Sequence, residues 1–291
     1  MSHTSEAADG TDAGSDATDA DAAEADAADG GGDGVDPVLA VDGVRKTFGG
    51  VTALDGVSFT VEPETLTGLI GPNGAGKSTT FDVISGAIEP DAGRVTFDGE
   101  DITGLAPYET SSRGLVRTFQ IAREFETMTV LENMMLPPKN QRGEAAWRSI
   151  LPGTRGGVKR DEEELFERAW EMLEFFDIDH LALEEAGALS GGQRKLLELA
   201  RALMLDPEVL LLDEPFAGVN PSLEQDLLDR LEDLRDRGRT FLLVEHDMDL
   251  IMEHCERVIV MHQGQTLVTG TPEEVRSEEQ VIEAYLGGEV A

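Results

Sequence analysis

One segment constrains the fold more than any other: LTGLIGPNGAGKSTTFDVISGAI, Leu66 to Ile88. A short apolar run enters a loop containing Gly71, Gly74 and Gly76 and leaves through residues at helical spacing. A strand that turns through glycines into a helix aims backbone N–H groups inward and adds the positive end of the helix dipole. That combination cradles phosphate. The pattern G-x-x-x-x-G-K-[ST] supplies Lys77 for β- and γ-phosphates and the Ser78 hydroxyl for Mg²⁺. A bland glycine turn would need neither the strand before nor the helix after.

The flanking pattern is α/β. VLAVDGV and GVSFTV alternate as strands, and GRVTFDGEDI reads as a hairpin. Further apolar strands are expected in EVLLLDEP, TFLLVEHD and RVIVMHQGQTLVTG, with a helix near SLEQDLLDRLEDLRDRG. From Gln120 to about Leu189 the character changes. In Asp161 to Phe176, the residues Leu165, Ala169, Trp170, Leu173 and Phe176 recur as one helical stripe, which is core packing. LPPKNQRGEAAWRSILPGTRGGVKR is expected to be a loop-rich insertion.

Two of the later strands end in groups suited to phosphate chemistry. VLLLDEP delivers Asp213, able to hold a Mg²⁺ water shell, and Glu214, able to accept a proton from an attacking water or to position it. Without a phosphate loop, such acids often serve only as helix caps. His246 follows FLLVEHD and is expected to contact a γ-phosphate. Gln120 in RTFQ offers a neutral amide for metal or water, and spacing alone leaves its role open. LSGGQRK, Leu189 to Lys195, puts a serine, two glycines and two cations at a helix start: a second phosphate cradle in one chain. Arg194 and Lys195 either anchor this helix or are solvated.

Composition narrows the partners. Lys and Arg number 23 against 59 Asp and Glu, a net charge of -36 that disfavours nucleic acid. Only 11 of those acids lie in Ser5 to Asp36, so the remainder is acidic as well. Residues 1–36 lack large apolar side chains beyond the start and are expected to be a disordered acidic tail. The charge fits a high-salt interior, where ions screen self-repulsion. The single Cys255 excludes an internal disulfide, and no run of apolar residues is long enough to span a bilayer. A soluble chain without a secretory leader is expected, reaching a membrane through partners.

GPNGAGKST, TFQ, LSGGQ, LLLDEP and EHD stand in the order of the ATP-binding-cassette (ABC) ATPases, which the chain resembles from about Val38 to Gly288. The resemblance implies a P-loop NTPase fold in residues 37–288: a RecA-like core, an antiparallel β subdomain, and a helical subdomain at about 121–189. It implies ATP held by Gly71, Asn73, Gly74, Gly76, Lys77, Ser78 and Thr79, with Phe48 stacked on adenine unless it is an ordinary core ring. Mg²⁺ would be held by Ser78, Gln120 and Asp213, and Glu214, His246 and Gln120 would act in hydrolysis. Ser190, Gly191, Gly192 and Gln193 would complete the site of a second ATPase subunit, which answers the puzzle of two cradles.

KTFGGVTALDGVSF, GLVRTFQIAREFETMTVLENMML, AGVNPSL and VIEAYLG resemble importers of branched-chain amino acids and related amides. Asn220 stands where the wider family has aspartate, and this branch shares it. A permease and an extracellular solute-binding protein are then expected partners, at the cytoplasmic face of the membrane. Phe125, Met128, Leu131 and Met134 either line the permease cleft or pack in the core. An exporter or lipid-transfer ATPase, and a weakly hydrolysing regulator, are the rival readings.

Overall fold

The computed structural model describes residues 36–118, 125–136 and 155–281. Strands β1 (Leu39–Phe48) and β2 (Val51–Val61) form an antiparallel hairpin. Register irregularities after Val41 let Leu39, Val41 and Val44 all face inward despite their uneven spacing. After β3 (Leu66–Ile70) and α1 (Lys77–Ile84), β4 (Ala92–Phe97) joins the other edge of β1, and β5 (Glu100–Asp101) completes a four-stranded sheet in the order β2-β1-β4-β5.

The second sheet holds β3 at its centre. It adds β6 (Leu115–Arg117), β7 (Val209–Asp213), β8 (Thr240–Val244), β9 (Arg257–His262) and β10 (Gln265–Gly270). The order is β10-β9-β3-β8-β7-β6, parallel except for β10 at the edge. All five residues of β3 and of β8 are buried, as expected of a parallel sheet covered on both faces. Alternate residues feed two cores. Leu66, Ile70, Leu210, Leu212, Phe241 and Leu243 pack on one face; Leu69, Leu211, Leu242, Val244 and Ile259 pack on the other with the antiparallel sheet. At about 1.5–3 kcal/mol for each such side chain taken from water, this stacking holds the strand ends rigidly.

Helices supply the remaining layers: α2 (Pro107–Arg113), α3 (Val130–Met135), α4 (Arg155–Phe175), α5 (Gly191–Leu203), α6 (Pro221–Asp236), α7 (Met248–His254) and α8 (Pro272–Ser277). On α4 and just beyond it, Ala169, Leu173 and Phe176 are fully buried, with Leu165 and Trp170 partly so. The helix starts earlier than the apolar stripe suggests. Arg155 to Arg160, expected as loop, is helical. The rest of that expected insertion, 137–154, lies outside the described residues, as do Gln120 and the acidic tail through residue 35. Met134 is fully buried in the core, which removes it from the residues expected at a docking surface. Among the described residues no helix is long and apolar enough to cross a membrane.

Cys255 ends α7 beneath β3, close to Gly68, and burial pushes its thiol well above the usual range. A buried thiol with little thiolate is inert. An aromatic disulfide reagent is therefore expected to leave the folded chain unlabelled and to modify one thiol per chain in denaturant. Rapid stoichiometric labelling without denaturant would contradict this packing.

Candidate active site

Parallel pairing puts the carboxyl ends of β3, β8 and β7 side by side, so the loops after Ile70, Val244 and Asp213 open on one edge of the sheet. Open α/β sheets bind ligands at such an edge. Gly76 caps α1 at φ 105°, and a Cβ there would lie 2.8 Å from the Ala53 carbonyl oxygen. Gly74, at φ 81°, faces open space instead. Glycine is thus demanded at Gly76 by close packing and at Gly74 by a left-handed turn exposed to the cleft.

Asn73, Gly74, Gly76, Lys77, Ser78, Thr79, Glu214 and His246 line one cleft, together with the start of β2. Lys77 is buried, and its Nζ donates to the Gly71 oxygen at 2.6 Å and the Pro72 oxygen at 3.3 Å. Burial holds its pKa below the ordinary lysine range, and the charges of Glu214 and Asp213 oppose this only in part. The ammonium therefore sits in the loop, braced by carbonyls that phosphate oxygens can replace as acceptors. A loop with inward space at Gly74, a helix N-terminus and this ammonium fits a polyphosphate.

Asp213 ends β7, and its Oδ2 accepts from Arg117 Nη2 at 2.8 Å. The same guanidinium, 8% exposed, donates through Nη1 to Asp82 Oδ1 on α1 at 2.5 Å and lies over the Phe81 ring. Arg117 thus fastens the phosphate-loop helix to the acidic strand end. It was missed in the sequence; its one signal there is an arginine closing the apolar strand LVR.

Glu214 is held on several sides. Its φ is 50°, uncommon for a residue with a Cβ. Its N–H donates to the Val244 oxygen at 2.9 Å, and its carbonyl accepts from Lys195 Nζ at 3.3 Å. Its Oε1 lies 2.8 Å from His246 Nε2, with both side chains about half exposed. Lys195 and Arg194, whose Nε donates to the Leu189 oxygen, both take the anchoring role. Glu245, not singled out in the sequence, is buried and accepts from the Phe216 and His246 amides at 3.0 and 3.3 Å. Burial raises its carboxyl above the ordinary range against those two bonds, and the Glu214 charge adds to the rise.

The second cradle lies apart from this cleft. Ser190 caps α5, accepting from the Gln193 amide, while Gln193 Oε1 accepts from the Ser190 amide at 2.9 Å. Ser190 and Gly191 are exposed, whereas a Cβ on Gly192 would strike Leu223 at 2.3 Å. None of the four lines the cleft. Phe48, at the end of β1, is 44% exposed with the Lys46 ammonium 5.6 Å from its ring, so it is not a core ring. Asn220 caps α6 through the Leu223 amide.

Known proteins align with this arrangement along most of the chain. The ABC transporter family model matches residues 54–217, and a model for branched-chain amino acid ATP-binding cassette transporters matches residues 265–291. A probable branched-chain amino acid transport ATP-binding protein LivG of Archaeoglobus fulgidus is 42% identical over 87% of this chain and 96% of its own length. The high-affinity branched-chain amino acid transport ATP-binding protein BraF of Pseudomonas aeruginosa is 40% identical over 86% of this chain and 98% of its own. The solved ADP conformation of an ATP-binding cassette from an ABC transporter superposes with a TM-score of 0.74 at 39% identity, covering 87% of this chain and all of the other. With its strand order, phosphate loop and strand-end acids in the same frame, the chain belongs to the ABC transporter family, in the branch of branched-chain amino acid ATP-binding cassettes.

Proposed function

We propose that this chain is the ATP-hydrolysing subunit of an importer for branched-chain amino acids or related amides. The observation that carries the reading is the Glu214–His246 pair, 2.8 Å apart, on the same cleft as the Lys77 loop. The names of the relatives favour amino acid transport over the lipid-transfer and regulatory readings.

Lys77 and the amides of Gly74 to Thr79 hold the phosphates, and Phe48 stacks on the adenine. Mg²⁺ would be held by Ser78, Asp213 and Gln120, hard oxygen donors that suit it. When bound, it neutralises phosphate charge and stabilises the leaving oxygen. Glu214 takes the proton of a water that adds to the terminal phosphorus, while His246 Nε2 keeps the carboxylate aimed; the bond to the bridging oxygen breaks and ADP and phosphate leave. Ser190, Gly191, Gly192 and Gln193 of a second ATPase subunit close the site. The exposure of Ser190 and Gly191, and the absence of all four from the lining of their own cleft, support that arrangement. Loss of the terminal phosphate removes contacts made only in the closed pair, which then opens. At the cytoplasmic membrane face this opening moves a permease supplied by an extracellular binding protein, with the segment 121–189 as the contact.

Phe125 tests the coupling. It is 45% exposed, with the Arg201 guanidinium 6.0 Å from its ring, and it lies outside the cleft. In vesicles reconstituted with the permease complex and the binding protein, Phe125→Ala is expected to cut leucine uptake severalfold and leave basal phosphate release of the isolated chain unchanged. Equal loss of both would overturn the docking role. Lack of ATP-driven uptake of both branched-chain amino acids and short amides by the parent complex would overturn the importer assignment.

A further inference from the structure

We propose that Glu245 is a positioning residue for hydrolysis, its buried carboxylate fastening the backbone on the far side of Glu214 so that the general base stays aimed into the cleft. The proposal rests on the reading of Glu214 as that base.

Glu214 occupies a left-handed backbone conformation that a residue with a Cβ adopts only when its surroundings hold it there. Two bonds to the end of β8 do so, beside those that the Glu214 carbonyl accepts from Lys195 Nζ at 3.3 Å and from the Ala217 N–H at 3.2 Å. Before the side chain, the Glu214 N–H donates to the Val244 oxygen at 2.9 Å. After it comes Pro215, which has no N–H, so Phe216 is the first amide that can be tied back. That amide donates to Glu245 Oε1 at 3.0 Å. The other oxygen, Oε2, accepts from the His246 amide at 3.3 Å, fixing the residue whose ring meets Glu214. One carboxylate therefore holds the chain beside both members of the catalytic pair. Only 6% exposed, it is shielded from the solvent competition that weakens surface hydrogen bonds.

The geometry predicts a loss confined to turnover. Releasing Phe216 lets Glu214 relax from its strained φ, and a displacement near 1 Å in a reacting group costs about 100-fold in rate. Glu245→Ala is expected to lower kcat by about that factor while leaving the Kd for a nonhydrolysable ATP analogue within about twofold. Glu245→Gln keeps one oxygen for Phe216 but turns an amide NH₂ toward the His246 donor, so about a tenfold loss is expected. The double variant Glu214→Gln/Glu245→Ala should be no slower than Glu214→Gln alone, because aim is irrelevant once the base is gone.

The experiment measures phosphate release, analogue binding and thermal melting on the full chain for all four variants. Parent-like kcat in Glu245→Ala, or in Glu245→Gln where the alanine variant does not fold, overturns the proposal. So does an affinity that falls in step with kcat, or a double variant slower than Glu214→Gln by the full Glu245→Ala factor. The two readings fail separately: a Glu214→Gln variant at parent speed removes the base, whereas an inactive one beside fully active Glu245 variants removes the positioning role alone.

Discussion

Glu214→Gln is expected to lower kcat for ATP hydrolysis by about 10²–10⁴-fold, the range of a general base, with ATP affinity nearly unchanged. The substitution keeps the side chain's size, and its amide can still meet His246 Nε2, 2.8 Å from the present carboxylate oxygen. Only the capacity to take a proton is removed. The left-handed backbone at φ 50° and its tie to Val244 are untouched, so a fall in rate reports chemistry rather than misfolding. Stopped before phosphate release, the variant should also accumulate a closed pair with ATP, formed with a second copy or with a related ATPase subunit supplied in the assay, visible as a rise in mass by size-exclusion with light scattering. Phosphate release at the parent rate would remove Glu214 from the reaction.

Lys77→Ala is the second large effect, and it falls on binding. Charge-assisted hydrogen bonds contribute about 1.5–3 kcal/mol, so losing the ammonium should weaken ATP by about 10- to 100-fold. The loss has a structural part as well. Lys77 Nζ braces the Gly71 and Pro72 carbonyls, and alanine leaves the buried Gly71 acceptor and the partly buried Pro72 acceptor without that donor. Titration with a fluorescent ATP analogue measures the affinity. The rise in melting temperature that ATP gives the parent should vanish at the same ligand concentration. A Kd within twofold of the parent would show that the loop amides alone hold the phosphates.

Residues whose role follows from local pattern were legible in the sequence. Lys77, Asp213, Glu214 and His246 each stand at the end of an apolar strand or on the glycine loop, so strand order and helix dipole bring Lys77, Glu214 and His246 to one cleft and Asp213 to its border. Residues whose role is a tertiary contact were not. Arg117 reads as one more cation until the fold sets Asp82 and Asp213 on either side of it. Glu245 was not singled out at all; its role shows only where the chain just past β8 brings its carboxylate to the Phe216 amide. Periodicity could not tell the two faces of a six-residue helix apart, so it did not separate Met134, which sits in the core, from Phe125, which is exposed on the loop before that helix. The start of α4 was missed because RGGVKR carries two glycines and no stripe, although the chain is already helical there.

The sheet order has a bearing on how the protein is made. β3, which leads into the phosphate loop, is flanked by β8 and β9, and neither begins before Thr240. During synthesis the GPNGAGKST segment leaves the ribosome early and must wait, without a strand on either edge, for most of the polypeptide to follow. Pairings so distant along the chain are slow and leave apolar edges exposed meanwhile. A frameshift between Thr80 and Thr240 therefore yields no half-working fragment: every letter of the phosphate motif is present, and its frame never arrives.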